Sequence, residues 1–111
     1  MTVFQKIIDR EIPAKIVYED DEFIVFHDVR PKAPIHVLVV PKKQLPTLES
    51  VELDDDFHTR LLSVARKIAK DLGIGDNYQL HMNVGHGVQQ VKQVHLHVKG
   101  GWSEKELETI E

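Results

Sequence analysis

The sequence predicts an α+β domain, a five-stranded and mainly antiparallel sheet carrying one long helix and short flanking helices. Three observations lead there. β-prone runs at residues 16–18, 23–27 and 36–40 precede one long amphipathic stretch at 53–72, and two more β-prone runs follow at 78–83 and 93–98. The 111 residues suit a single domain over 1–111, with no room for a second core. Apolar residues at 41% and charged residues at 29% fit a globular chain rather than a disordered or membrane-embedded one.

Thr2 followed three residues later by Gln5 has the pattern of a capping box, and Val3, Phe4, Ile7 and Ile8 repeat at helical spacing, which predicts a short helix ended by Pro13. Runs 16–18 and 23–27 flank Glu19-Asp20-Asp21-Glu22 and predict an antiparallel hairpin with a solvated acidic turn. Pro31 and Pro34 bracket a connection. After it, His36-Val37-Leu38-Val39-Val40, nearly all apolar and ended by Pro41, has the pattern of a buried central strand. Across 53–72, Phe57, Leu61, Val64, Ala65, Ile68 and Leu72 keep a period of about 3.6. Asp54, Asp55 and Asp56 stand at the positive end of that helix and Gly73 stops it, so the three acids read as dipole complements and not as a cation site. The last two strands are joined by a loop containing Gly85 and Gly87, and Ser103 with Glu106 predicts a capped helix over 104–110.

Composition narrows the function classes. Without cysteine there is no disulfide, no thiolate metal ligand and no cysteine nucleophile. No apolar run is long enough to span a membrane and the N-terminus lacks the features of an export signal, so a cytoplasmic location is expected by elimination. Fourteen basic against 18 acidic residues give a net charge of −4, which disfavours a polymeric nucleic acid as partner. Seven histidines are present, and His81, His86, His95 and His97 cluster near the C-terminus.

In an extended strand, side chains two apart share a face. Gln93, His95 and His97 therefore line one side of the last strand while Val94, Leu96 and Val98 pack on the other. Three readings of that polar row compete. It could be an exposed row on a half-solvated sheet. It could be a metal site, with His-x-His completed by His36, His81 or His86. Or an imidazole could act as nucleophile towards phosphorus while its neighbours hold the phosphate oxygens. Spacing alone leaves all three open.

Gln93-Val94-His95-Leu96-His97-Val98-Lys99, followed by Gly100-Gly101, resembles the signature of the histidine triad superfamily, His-φ-His-φ-His-φ-φ with φ apolar, its first histidine replaced by Gln93. Phe4-x-Lys6-Ile7-Ile8, Glu11-Ile12-Pro13-Ala14-Lys15, Phe26-His27-Asp28-Val29, Pro31-x-Ala33-Pro34-x-His36, Val39-Val40-Pro41-Lys42-Lys43, Asp71-Leu72-Gly73 and Asn83 are similar to the Hint branch, the nucleoside phosphoramidase-like members. The resemblance spans about residues 3–101 in the expected order.

The resemblance implies a homodimer whose two sheets join into one, a purine-nucleotide (AMP-like) ligand, no cofactor and no metal. It also implies hydrolysis at the α-phosphorus of nucleoside 5′-phosphoramidates and related adenylates. Matching positions make His95 the nucleophile of a covalent nucleotidyl-histidine intermediate. They place His97 on a phosphate oxygen, Asn83 near the phosphate or leaving group, and His36 in the network behind the nucleophile. Asp28 would accept from both ribose hydroxyls, with His27 beside it in the substrate-binding segment and without a catalytic role. Phe4, Ile7 and Val29 would form the slot for the base, although ordinary helix packing explains Phe4 and Ile7 equally well. Two departures bear on activity. Gln93, in a catalytic position, can hydrogen-bond but cannot shuttle a proton, so Gln93→His is expected to raise turnover. Gln90 stands where the branch has a serine or threonine near the phosphate. These departures also allow a nucleotide-binding or adaptor module with little turnover.

Overall fold

The computed structural model describes residues 2–103, so the helix expected over 104–110 lies outside the described residues. In chain order the elements are α1 (Val3–Ile8), β1 (Ile16–Glu19), β2 (Phe23–His27), β3 (Ile35–Pro41), a 3-10 turn (Leu48–Ser50), α2 (Phe57–Asp71), β4 (Tyr78–His81) and β5 (Leu96–Gly100). The strands form one sheet in the order β1-β2-β3-β5-β4, every neighbouring pair antiparallel. Among the described residues, no helix is long and apolar enough to cross a membrane.

Both faces are covered at β2 and along most of β3, which is why residues 23–26 and 37–40 are apolar without interruption. Phe23 and Val25 of β2, Val37 and Val39 of β3, and Leu96 and Val98 of β5 pack with Phe57, Leu61, Ala65, Ile68 and Ala69 of α2. The alternate residues Ile24, Phe26, Leu38 and Val40 form a second core with Phe4 and Ile7 of α1. Successive side chains of one strand thus feed two cores. Beyond Leu38 on the α1 face the sheet turns polar: Leu38 lies opposite His97, and His97 lies opposite His81.

Several boundaries differ from the sequence expectation for local reasons. Helix α1 ends at Ile8, well before Pro13, because Asp9 caps it and Arg10 takes a left-handed φ of 63° that turns the chain away. Only half of its capping box forms: Thr2 Oγ1 accepts from the Gln5 N–H at 3.1 Å, but the Gln5 side chain donates to Asp9 Oδ1. Helix α2 starts at Phe57, whose N–H donates to Asp55 Oδ1 at 2.7 Å, so residues 53–56 form the turn that enters the helix. The acidic turn of the first hairpin is more than solvated surface. Asp20 Oδ1 accepts from the N–H groups of Glu22 and Phe23 at 2.8 and 2.7 Å, and Glu22 makes a forked pair with Arg60 of α2.

Leu96 is 5% exposed, sits between His95 and His97 in sequence, and points into the α2 core. Leu96→Ala is expected to lower the unfolding free energy by about 2–5 kcal/mol. Urea denaturation checks this, and a loss below about 0.5 kcal/mol, the range of an ordinary surface substitution, would mean that β5 is not anchored by that face.

Candidate active site

The site begins with packing. Val94, Leu96 and Val98 are locked into the α2 core, so His95 and His97 must emerge on the α1 face. The hydrogen-bonded strand starts only at Leu96; the chain just before it is held by the loop after β3, the Val94 N–H donating to Leu45 O at 2.8 Å. The exposed-row reading fails here, because Gln93 is 3% and His95 7% exposed, and His97 is half-buried.

Hydrogen-bond logic assigns the protons. The Lys32 N–H donates to His36 Nδ1 at 2.9 Å, so Nδ1 is an acceptor and the His36 proton resides on Nε2. That Nε2–H lies 2.8 Å from His97 Nδ1 and 3.5 Å from Asp28 Oδ2. With His97 Nδ1 accepting, its own proton sits on Nε2. His95 Nδ1 lies 2.7 Å from the Gln93 carbonyl, which can only accept, so Nδ1–H donates and His95 Nε2 keeps its lone pair. Phe4 meets the His95 ring edge-on, centroids 4.9 Å apart, and restricts its rotation.

The electrostatics agree with neutral rings. Burial lowers the pKa of His36 and of His95 below the ordinary imidazole value. For His97, burial first and then the neighbouring His95, His36 and His81 lower it to about 4. A neutral cluster offers one lone pair at His95 and one N–H donor at His97.

Asp28 sits at the rim of this cluster, Oδ1 accepting from the Arg30 N–H and Oδ2 turned to His36. Together with Lys15, His27, Val29, Pro34 and His36 it lines a cleft of about 640 Å³. Val29 is 89% exposed, whereas Phe4 and Ile7 are buried in the second core and line no part of that cleft, so the structure does not gather the three into one preformed slot. Gln90 lines a separate recess of about 490 Å³ with Gln44, Lys92 and Gln93. Asn83 joins the histidines through His81, whose Nε2 lies 3.1 Å from Asn83 Oδ1 and whose ring stacks on His97. Asp28, His36 and His97 also bring ligand-type atoms within 4.8 Å of one another, a donor set that keeps His97 and His36 of the metal reading and has Asp28 in place of His95. Two of those atoms, His36 Nε2 and His97 Nδ1, already share a proton that an ion would have to displace.

Gln93 has a structural task that its triad position does not imply. Its Oε1 accepts from the Leu45 N–H at 2.9 Å, and its Nε2 donates to Pro41 O and Lys43 O at 2.9 and 2.8 Å. The amide is fully engaged with backbone and ties the loop after β3 to the segment carrying His95. Gln89, which no sequence motif marks, does the same for the loop before β5: its side chain bonds Gly85 N, Pro46 O and Val91 O. Sequence motifs give His81 no place in the site either. The strand period that aligns 93, 95 and 97 also puts 79, 81 and 83 on one face, and that is the signal the sequence offers for it.

This geometry bears on stability in two ways. A neutral imidazole has one donor and one acceptor, so Gln93→His strands a backbone group and is expected to destabilise the fold by roughly 1–3 kcal/mol without raising turnover; unchanged stability with faster turnover would restore the proton-shuttle view. For pH, an unfolded histidine titrates at its ordinary 6.5 and folded His97 at about 4, so the unfolded chain binds more protons between those values. Stability is therefore fully present above about pH 6.5 and declines as pH falls through about 4. Urea midpoints measured across that window should fall less steeply for His97→Asn; identical slopes would remove His97 as the source.

The comparisons agree with this architecture. The HIT domain family matches residues 9–103. An uncharacterised HIT-like protein of Synechocystis is 52% identical over 102 residues, 90% of each chain. The purine nucleoside phosphoramidase of Escherichia coli is 45% identical over 103 residues, covering 90% of this chain and 87% of that protein. A crystal structure of a HIT family hydrolase from Legionella pneumophila superposes with a TM-score of 0.85 at 40% identity, over 93% of this chain and 95% of that one. With the family match covering nearly the whole described chain, and the sheet, the helix and the histidine cluster in place, this protein belongs to the HIT domain family.

Proposed function

We propose that the protein is a homodimeric nucleotidyl hydrolase acting at the α-phosphorus of purine nucleoside 5′-phosphoramidates and related adenylates. One observation carries the reading: His95 Nδ1–H is bonded to the Gln93 carbonyl, which leaves Nε2 unprotonated on a ring whose pKa burial lowers. The name of the Escherichia coli relative supports the substrate class.

In this reading His95 Nε2 attacks phosphorus, the bond from phosphorus to the leaving amine nitrogen breaks, and that nitrogen takes up a proton from solvent. Water then attacks the nucleotidyl-imidazole, releasing AMP and returning His95 to its starting state as the water's proton passes to solvent. His97 donates its Nε2–H to a phosphoryl oxygen, backed by His36 and the Lys32 N–H. Asn83 offers amide donors to the same phosphate. Asp28 takes the ribose hydroxyls at the rim of the larger cleft, beside His27, and the base covers the exposed Val29, with Phe4 as the fixed wall behind His95 and Ile7 packed in the same core as Phe4. The recess at Gln90 receives the leaving group.

A binding module with little turnover is the second reading, favoured because the engaged Gln93 amide supplies no titrating group. Incubation with adenosine 5′-phosphoramidate, following AMP release, tests the first. His95→Ala is expected to lower the rate by at least about 10³-fold. Equal rates for the two proteins refute the enzyme, and calorimetric AMP binding without cleavage supports the module.

A further inference from the structure

One imidazole on the face of the site has no role in the reading above. His81 closes β4, the edge strand, directly opposite His97 in the β4–β5 register. Its ring lies nearly parallel to that of His97, centroids 5.1 Å apart and planes 24° from coincidence. Its Nε2 is 3.1 Å from Asn83 Oδ1, two residues along the chain. On its other side His97 is held by His36, rings also 5.1 Å apart. The side chain itself is exposed on the site face and is not part of the core.

We propose that His81 is a positioning residue that chiefly fixes the amide orientation of Asn83, and secondarily the ring plane of His97. The inference rests on the phosphoramidase reading and deepens it. An asparagine oxygen can only accept, so the hydrogen bond requires the His81 proton on Nε2. With its oxygen occupied, the Asn83 amide presents its two N–H donors to whatever else approaches. An anionic phosphoryl group needs donors, and an amide turned the other way would offer it a repelling oxygen. The stacked ring meanwhile closes the side of His97 that His36 leaves open, so that the His97 Nε2–H keeps one direction. Groups held in one geometry need no reorganisation when charge develops on the phosphoryl oxygens. His81 touches Asn83 and His97, and its effect on the substrate passes through them.

Two substitutions separate its contacts. His81→Phe keeps a ring for stacking and removes the donor to Asn83. His81→Gln keeps an amide donor and removes the ring. Steady-state hydrolysis of adenosine 5′-phosphoramidate is expected to show His81→Phe losing about 10-fold or more in kcat/KM, and His81→Gln recovering to within about threefold of the parent, the size of one hydrogen-bonding contribution. In the Asn83→Ala background, His81→Phe should add less than about twofold, since an oriented amide that is absent cannot be disoriented. Equal losses for Phe and Gln, or full additivity with Asn83→Ala, overturn the proposal, as does a His81→Phe rate within twofold of an active parent. A parent that releases no AMP refutes the phosphoramidase reading instead. Long-range proton–nitrogen NMR of His81 at pH 8, with and without AMP, still decides the positioning role in that case. A proton on Nε2 supports it and a proton on Nδ1 overturns it.

Discussion

Everything at this site depends on the alternation of side chains along the chain from Val94 to Val98. Val94, Leu96 and Val98 are buried against α2, and a one-residue slip would place histidines in that apolar core and valines on the α1 face. Burying unpaired imidazoles costs far more than losing any one hydrogen bond of the site, so the register of β5 is set by the core. The orientation of His95 and His97 follows from it. β3 obeys the same rule: Val37 and Val39 go to one core, and His36 and Leu38 face the other way, with His36 brought to His97.

On that frame, hydrogen bonds assign each ring its state. The sequence of donors runs from the Lys32 N–H through His36 to His97, and each step leaves one choice for the next proton. His95 belongs to a separate, shorter chain that ends on the Gln93 carbonyl. The two rings therefore reach the same space in complementary states, one with a lone pair and one with a donor. Burial is the largest cause lowering both pKa values; around His97 the neighbouring rings add to it because a second positive charge at this distance would be repelled, whereas at His95 the Gln93 carbonyl and Asp28 oppose it.

The periodic features of the chain are legible in its amino-acid order. The apolar run of β3, the spacing of α2, and the separation of His95 and His97 from Leu96 and Val98 all express local rules, and each element forms on its pattern even where its ends shift by a few residues. Features that depend on partners far along the chain are not legible in this way. Nothing local says that α1 stops at Ile8 and that the chain turns away at Arg10, since a non-glycine residue with positive φ has no strong sequence mark. Nothing local says that Val29 stays exposed while Phe4 and Ile7 are buried, because a pocket wall and a core face share one composition. The importance of His81 comes from the β4–β5 register, a pairing across a glycine-containing loop whose length gives no unique alignment.

Gln93 shows most sharply how a position can carry a structural task that its place in a motif does not mark. As one member of a polar row it looks like a catalytic group with its acid–base function removed. In space it is a connector with three backbone partners, one donor and two carbonyls, drawn from Pro41, Lys43 and Leu45. Two donors and one acceptor on one planar group are what a primary amide supplies and what a neutral imidazole lacks. The choice of glutamine is thus explained by the loop that follows β3, where Val94 also bonds Leu45. That loop holds the carbonyl on which His95 rests its proton, so Gln93 bears on His95 through the backbone, by fixing the acceptor.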